Sequence, residues 1–203
     1  LVKDTAQQLD YLKRALAQDK LDKNENPLLL VTRDDVQTAE ILAALAADPF
    51  FKSYTQTALT AKTPPKEEKK ALAAAGTQKQ ILIGAAGIVG RGTDIKASTP
   101  LFTACLFQPA TLAEEMQIRG RAGRFGETGY YRQILSQTDN PALRKPTGNV
   151  ARVVAERQQA EAQLVDKERT IIETVARLQE DLHTLQFKKQ TSGPPNWEAW
   201  ESY

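Results

Sequence analysis

Arginine is crowded into one short stretch, Gln117-Ile118-Arg119-Gly120-Arg121-Ala122-Gly123-Arg124, with two glycines as spacers. A guanidinium is a permanently charged fork that matches phosphate oxygens two at a time. Side chains three apart share a helix face, so Arg121 and Arg124 can point at the same place. That arrangement suits the charge that develops on a transferring phosphoryl group, the task of an arginine finger. A solvated face pairing with Glu114, Glu115 and Glu127 would account for one arginine. It does not account for three interleaved with glycine, a residue unfavourable in an exposed helix; close approach to phosphate does. The phosphate-binding loop G-x-x-x-x-G-K-[ST] occurs nowhere in the chain. The arginines have come without the cradle they should act on.

A second segment, Gly90-Arg91-Gly92-Thr93-Asp94-Ile95, could serve the same ligand. Its glycines let backbone come close to a ligand or take positive φ. Asp94 only accepts hydrogen bonds, from a ribose hydroxyl or an arginine, and Thr93 can cap a turn. Alone this loop is weak support, because turns of such composition are common. Gln117, at the head of the arginine run, can bond a nucleotide or a neighbouring loop.

Elements of alternating type must position these segments. Residues 5–19 form an amphipathic helix, with Ala6, Leu9, Leu12 and Leu16 on one face and Lys, Gln and Asp on the other. Leu28-Leu29-Leu30-Val31 is a short continuous apolar run, the mark of a strand buried on both faces. Thr32 to Asp35 cap a helix over 36–46 that turns Val36, Ile41, Leu42 and Leu45 inward. A strand at 55–60 is followed by a helix that Pro64 and Pro65 start and Gly76 ends. Further strands fall at 81–86 and 101–107. Thr111 opens a helix running through Gln117 and Arg119, with Gly126 and Gly129 as its breakers, and a last strand covers 130–135. Such alternation predicts an α/β fold, a parallel sheet covered by helices on both faces. Its ligand belongs at the carboxyl ends of the strands. The loops at 87–94 and 117–129 fall there or beside it.

From Gly148 the character changes to one long helix. Leu164, Glu168, Ile171, Val175, Leu178, Leu182 and Leu185 step by four and three along a seam. The seam must bury against this domain or a neighbouring helix of the parent chain; a self-dimerising coiled coil is the less favoured alternative. His183 stands alone beside it and reads as solvated or capping. Trp197 and Trp200 in the tail could enter a groove or dock on the same core. The expected organisation is an N-terminal helix and linker over 1–26, the sheet domain over 27–147, the helical extension over 148–190 and a tail over 191–203.

The 203 residues carry a formal net charge of +2, so no global basic footprint for nucleic acid is present. No run of apolar residues is long enough to span a bilayer. The N-terminus is too polar for a signal peptide and does not begin with Met, so a fragment of a longer cytoplasmic chain is expected, with peripheral membrane contact left open. Cys105, the single cysteine, sits in the apolar run 101–107 and reads as a buried structural thiol rather than a nucleophile.

Taken together the two glycine-and-arginine segments are specific. Gly90 to Ile95 resembles motif V, and Gln117 to Arg124 motif VI, of the superfamily-two helicases and translocases. Within these, the SecA family is most similar: its motif V reads G-R-G-T-D-I, and its motif VI Q-x-R-G-R-x-G-R followed by x-G-x-x-G, as in Phe125 to Gly129. Nucleic-acid helicases more often carry A-R-G-x-D and H-R-x-G-R-x-G-R, so Gly90 and Gln117 favour the SecA-like branch. The resemblance covers residues 5–140 and is sharp only at the two motifs. One departure is Gly87-Ile88-Val89, where SecA usually has an Asn-Met pair before motif V; it bears on coupling between lobes.

The resemblance implies a RecA-like second motor lobe. Arg121 and Arg124 would face the γ-phosphate, with Arg124 the finger. Gly90, Gly92, Thr93, Asp94 and Gln117 would contact the nucleotide or couple the lobes. ATP with Mg²⁺ would be held mainly by a first lobe of the same parent chain, leaving this fragment inactive alone. A polypeptide substrate and a membrane channel are the further partners implied. A nucleic-acid helicase lobe is the alternative, and a non-catalytic interaction module a third reading, against which the intact motif arginines argue.

Overall fold

A computed structural model describes residues 2–21, 26–89, 95–97, 99–122, 128–138 and 150–191, the side chains of this last stretch from 151 to 180. The chain divides into two compact units, Leu1–Arg157 and Gln158–Tyr203.

The first unit is built on five parallel strands: β1 Leu28–Thr32, β2 Thr55–Leu59, β3 Gln80–Ala85, β4 Phe102–Cys105 and β5 Tyr130–Gln133, in the order β2-β3-β1-β4-β5. Central β1 is buried at every residue, as its unbroken apolar run requires. Leu28 lies in register with Ile81 on one side and Phe102 on the other. On one face pack α1 (Thr5–Gln18), α2 (Asp35–Ala47) and a 3-10 turn, Pro49–Ser53, around Leu12, Leu16, Ile41, Leu45, Phe51 and Phe102. On the other lie α3 (Pro65–Ala75), α4 (Ala86–Val89) and α5 (Leu112–Arg119), over Leu29, Leu82, Cys105 and Ile118. Chain order reverses between β1 and β4, the switch point at which such sheets take their ligands.

Several local expectations change. Gln8 is fully buried, while Ala6 faces solvent. The Gln8 amide donates to the carbonyls of Leu106 and Ile134 at 3.1 and 2.8 Å, so it crosses from α1 to the ends of β4 and β5. Val36 is 67% exposed. It comes two residues after the N-cap Asp34, whose carboxylate accepts from the Gln37 N–H, and the inward turn falls on Gln37, Thr38 and Ile41 instead. Gly76 closes α3 at φ −85°, without the left-handed backbone expected of a helix-ending glycine. Its role is steric: a Cβ there would lie 2.0 Å from the Lys96 carbonyl oxygen.

The last helix, α6, runs Val150–Thr191 and crosses the division. Its first two turns belong to the first unit, where Val153 packs on Leu135. Within the second unit Leu164, Ile171, Val175 and Leu178 are about half or more exposed, and so are Val165 and Ile172. Leu182, His183 and Leu185 lie outside the described side chains, and Trp197 and Trp200 outside the described residues.

Candidate functional site

Strand β3 ends at Ala85 and turns straight into α4, where a short loop was expected. Strand β4 ends at Cys105, and the chain then runs to Thr111, the N-cap of α5. Both exits open at the same end of the sheet because the strands are parallel. The exit of β4 is held firmly. The Leu106 carbonyl accepts from the amides of Gln8 and Gln37, each at 3.1 Å, and the Leu106 N–H donates to the Val31 carbonyl. The oxygen of Gln37 in turn accepts from the Arg33 N–H at 2.8 Å. Each glutamine stands four residues before a buried apolar residue, Leu12 or Ile41, on the inner face of its helix, but an amide at the N-terminal end of that face reads as surface.

Helix α5 begins with a variant of the capping box, in which the Glu114 side chain reaches one residue past the N-cap. The Thr111 hydroxyl accepts from the Glu114 N–H at 3.1 Å, and the Glu114 carboxylate accepts from the Ala110 N–H at 2.8 Å. The spacing Thr-x-x-Glu is the signature that could have announced it. Glu114 is thereby committed to the helix start rather than to the arginines. Between the two exits lies a cavity of about 260 Å³, lined by Ala86, Gly87, Thr111, Ala113, Glu114 and Gln117. Gly87 is open toward space, with nothing within 4 Å of where a Cβ would stand.

The arginine run separates into parts. Arg119 ends α5, and its guanidinium lies over the Tyr131 ring, 5.3 Å from the centroid, and 3.6 Å from the Glu115 carboxylate. It is used within the fold. Gly120 is the C-cap, and the helix stops there, earlier than the expected breakers. Arg121 and Ala122 continue in a tight turn, with N–H groups donating to the carbonyls of Ile118 and Arg119. Arg121 thus lies in a turn rather than in α5, and Arg124, with which a shared helix face was expected, falls outside the described residues. Of the expected site residues, the structure describes Gln117, exposed beside the cavity, and Arg121, part-buried in the turn beyond it. Gly90, Gly92, Thr93, Asp94 and Arg124 lie outside the described residues.

Behind Tyr131 the site is inert. Burial pushes the Cys105 thiol up to about 12, and its S–H donates to the Phe107 carbonyl at 3.3 Å. Burial likewise raises the Tyr131 phenol. A thiol so held is a packing group.

A family model described as the helicase conserved C-terminal domain matches residues 7–126. The chain belongs to that family. Over 137 residues this helicase C-terminal chain is 31% identical to the protein translocase subunit SecA 2 of Staphylococcus epidermidis, covering 64% of this chain and 16% of that protein. It is 33% identical over 136 residues to the protein translocase subunit SecA of Ureaplasma parvum, with the same shares, 64% and 16%. The chain thus spans about one-sixth of these curated relatives. Among solved structures, Mss116p DEAD-box helicase domain 2 bound to an RNA duplex superposes with a TM-score of 0.53 at 14% identity, over 67% of this chain and 52% of that one. At that identity the likeness is one of fold. The RecA-like architecture and the SecA-like second-lobe resemblance both agree with these findings.

Proposed function

We propose that this helicase C-terminal lobe is the second nucleotide-binding lobe of a SecA-like, ATP-driven protein translocase motor. The observation that carries the reading is the convergence of the α4 entry and Gln117 on one cavity at the carboxyl end of the sheet. The SecA likeness of 31–33% supports translocation as the work done.

In this reading Gln117 contacts the nucleotide across the cavity or couples to the opposite lobe. Arg121 and Arg124 approach the γ-phosphate, and Arg124 is the finger. Gly90, Gly92, Thr93 and Asp94 supply close backbone approach and hydrogen bonds to phosphates and ribose. The cavity fits one side of such a ligand: it is open, borders Gly87, and offers a polar amide. It offers no enclosing cradle, so ATP with Mg²⁺ is held mainly by a first lobe of the same parent chain. The bound nucleotide supplies the phosphoryl group, and this lobe supplies positive charge where charge develops. A polypeptide substrate, a membrane channel and a cytoplasmic location belong to the same reading. No described helix is long and apolar enough to cross a membrane.

The test is ATP turnover. The chain alone stays at background. Joined to a first motor lobe it hydrolyses ATP, and Arg124→Ala lowers kcat by about 10³-fold or more, the scale of a lost finger. Hydrolysis by the isolated chain, abolished by Arg124→Ala, would overturn the half-site reading. Tight binding to single-stranded RNA or DNA that weakens steeply with salt would favour a nucleic-acid helicase lobe instead.

A further inference from the structure

Glu115 lies on α5, two residues before Gln117, on the side away from the cavity. Its carboxylate is met by two arginines. Arg157 of α6 donates to it at 2.7 Å, and Arg119 stands 3.6 Å away. The Arg157 and Glu115 side chains are only 9% and 13% exposed. Among the described residues the Arg157 Nε is buried without a hydrogen bond, and Glu115 is the acidic partner of this guanidinium. Val153, one helical turn earlier on the same face, is seated against Leu135. The base of α6 is thus fastened at two points, and the polar one grips the helix that carries Gln117 and ends in the arginine run.

We propose that Arg157 is a positioning residue: through Glu115 it sets the place of α5, and hence of Gln117 and Arg121, relative to any nucleotide. A pair so nearly dry is strong only while both members are present, because either one alone is a charge left without its counter-ion. A surface pair could be lost with little effect. Arg119 cannot stand in for Arg157, because it is farther from the carboxylate and already lies over Tyr131. The proposal of a role in turnover rests on the motor-lobe reading; the fixing of α5 does not.

Hydrogen exchange on the 203-residue chain tests the fixing directly. Arg157→Met and Glu115→Gln should each speed exchange of the α5 amides at least tenfold, while amides of β1 and β3 keep their rates. The double variant Glu115→Met with Arg157→Met, which removes both members of the buried pair and leaves Arg119 over Tyr131, should return α5 to within about threefold of the parent. Unchanged α5 protection in the single variants, or a loss spread evenly over the sheet, overturns the proposal. With the chain joined to a first motor lobe, Arg157→Met should lower kcat at least tenfold with KM for ATP within twofold, and the double variant should recover it. Loosened α5 with unchanged kcat overturns the positioning role. Absence of turnover in the parent would refute the motor-lobe reading instead, and exchange alone would then decide the ion pair.

Discussion

Replacing Gly76 by alanine should destabilise the first unit although its backbone is one that alanine adopts freely. At φ −85° and ψ 0° the residue needs no left-handed conformation. On backbone grounds alone the substitution would stabilise by about 0.4–1 kcal/mol, through a less flexible unfolded chain. The obstacle is contact. The new Cβ would lie 2.0 Å from the Lys96 oxygen, 2.6 Å from its carbonyl carbon and 2.8 Å from the Ala97 Cα. All three are backbone atoms, so no side chain can swing away. Ordinary contact lies near about 3.5 Å, and the 96–97 segment must retreat by about 1.5 Å. Overpacking of this kind costs about 1–3 kcal/mol. Mid-range values of about 2 against about 0.7 kcal/mol leave a net loss of about 1.3 kcal/mol, or roughly 3–5 °C in Tm for a unit of this size. Gly120→Ala is the control. Its backbone is helical, and the nearest atom to a new Cβ is the Met116 oxygen at 3.3 Å. It should hold Tm within about 2 °C. Differential scanning calorimetry of the three chains reads both. Gly76→Ala melting within about 1 °C of the parent, or Gly120→Ala falling further than Gly76→Ala, would refute the steric account.

Further outcomes rest on named contacts. Gln8→Leu leaves the Leu106 and Ile134 carbonyls without the donor that α1 supplies; it should cost about 1–3 kcal/mol by urea unfolding, and no change would refute the bridging role. Asp34 is held below the ordinary carboxylate value, chiefly by the Gln37 N–H, and Asp48 chiefly by the Lys13 ammonium. A depressed folded pKa gives stability that is present above about pH 4 and lost as pH falls through the depressed values, so Tm should drop on acidification below about pH 4. Asp48→Asn should flatten part of that drop. Lys13 is raised, by Asp10 first and Asp48 second, so its share persists below about pH 10.5 and fades above it. Cys105 should resist a thiol reagent at about pH 8 in the folded chain and react at once in urea; labelling at the unfolded rate in buffer would contradict its burial.

The fold was legible where one element carried one pattern. The runs at 28–31 and 81–86 announce strands buried on both faces, because only parallel central strands dispense with alternation. The step of α1 through Leu9, Leu12 and Leu16 gives a helix and its inner face. Single residues on these elements were less legible. Val36 looks like core, and Gln8 like surface, because composition cannot say where a cap fixes the first turn or which carbonyl lacks a donor. The pair of Glu115 and Arg157 is 42 residues apart in sequence and leaves no periodic trace. Gly76 was legible as a glycine that matters, but its reason lies in the distant backbone at Lys96 and Ala97.

The arginine run shows the same division within a few residues. Residue type alone made Arg119, Arg121 and Arg124 equivalent, with Arg121 and Arg124 sharing a helix face. The helix instead ends at Arg119, and that side chain is drawn back over Tyr131 and toward Glu115. Arg121 itself lies in the turn after Gly120, its N–H donating to the Ile118 carbonyl, and Arg124 lies outside the described residues. Neither the φ of Gly120 nor its neighbours within the fold require glycine. If a ligand approaches that turn, Gly120→Ala should be quiet in stability and costly in ATP turnover by the joined lobes. A variant harmless in both would return the glycines of this run to ordinary helix termination and remove one support for phosphate binding there.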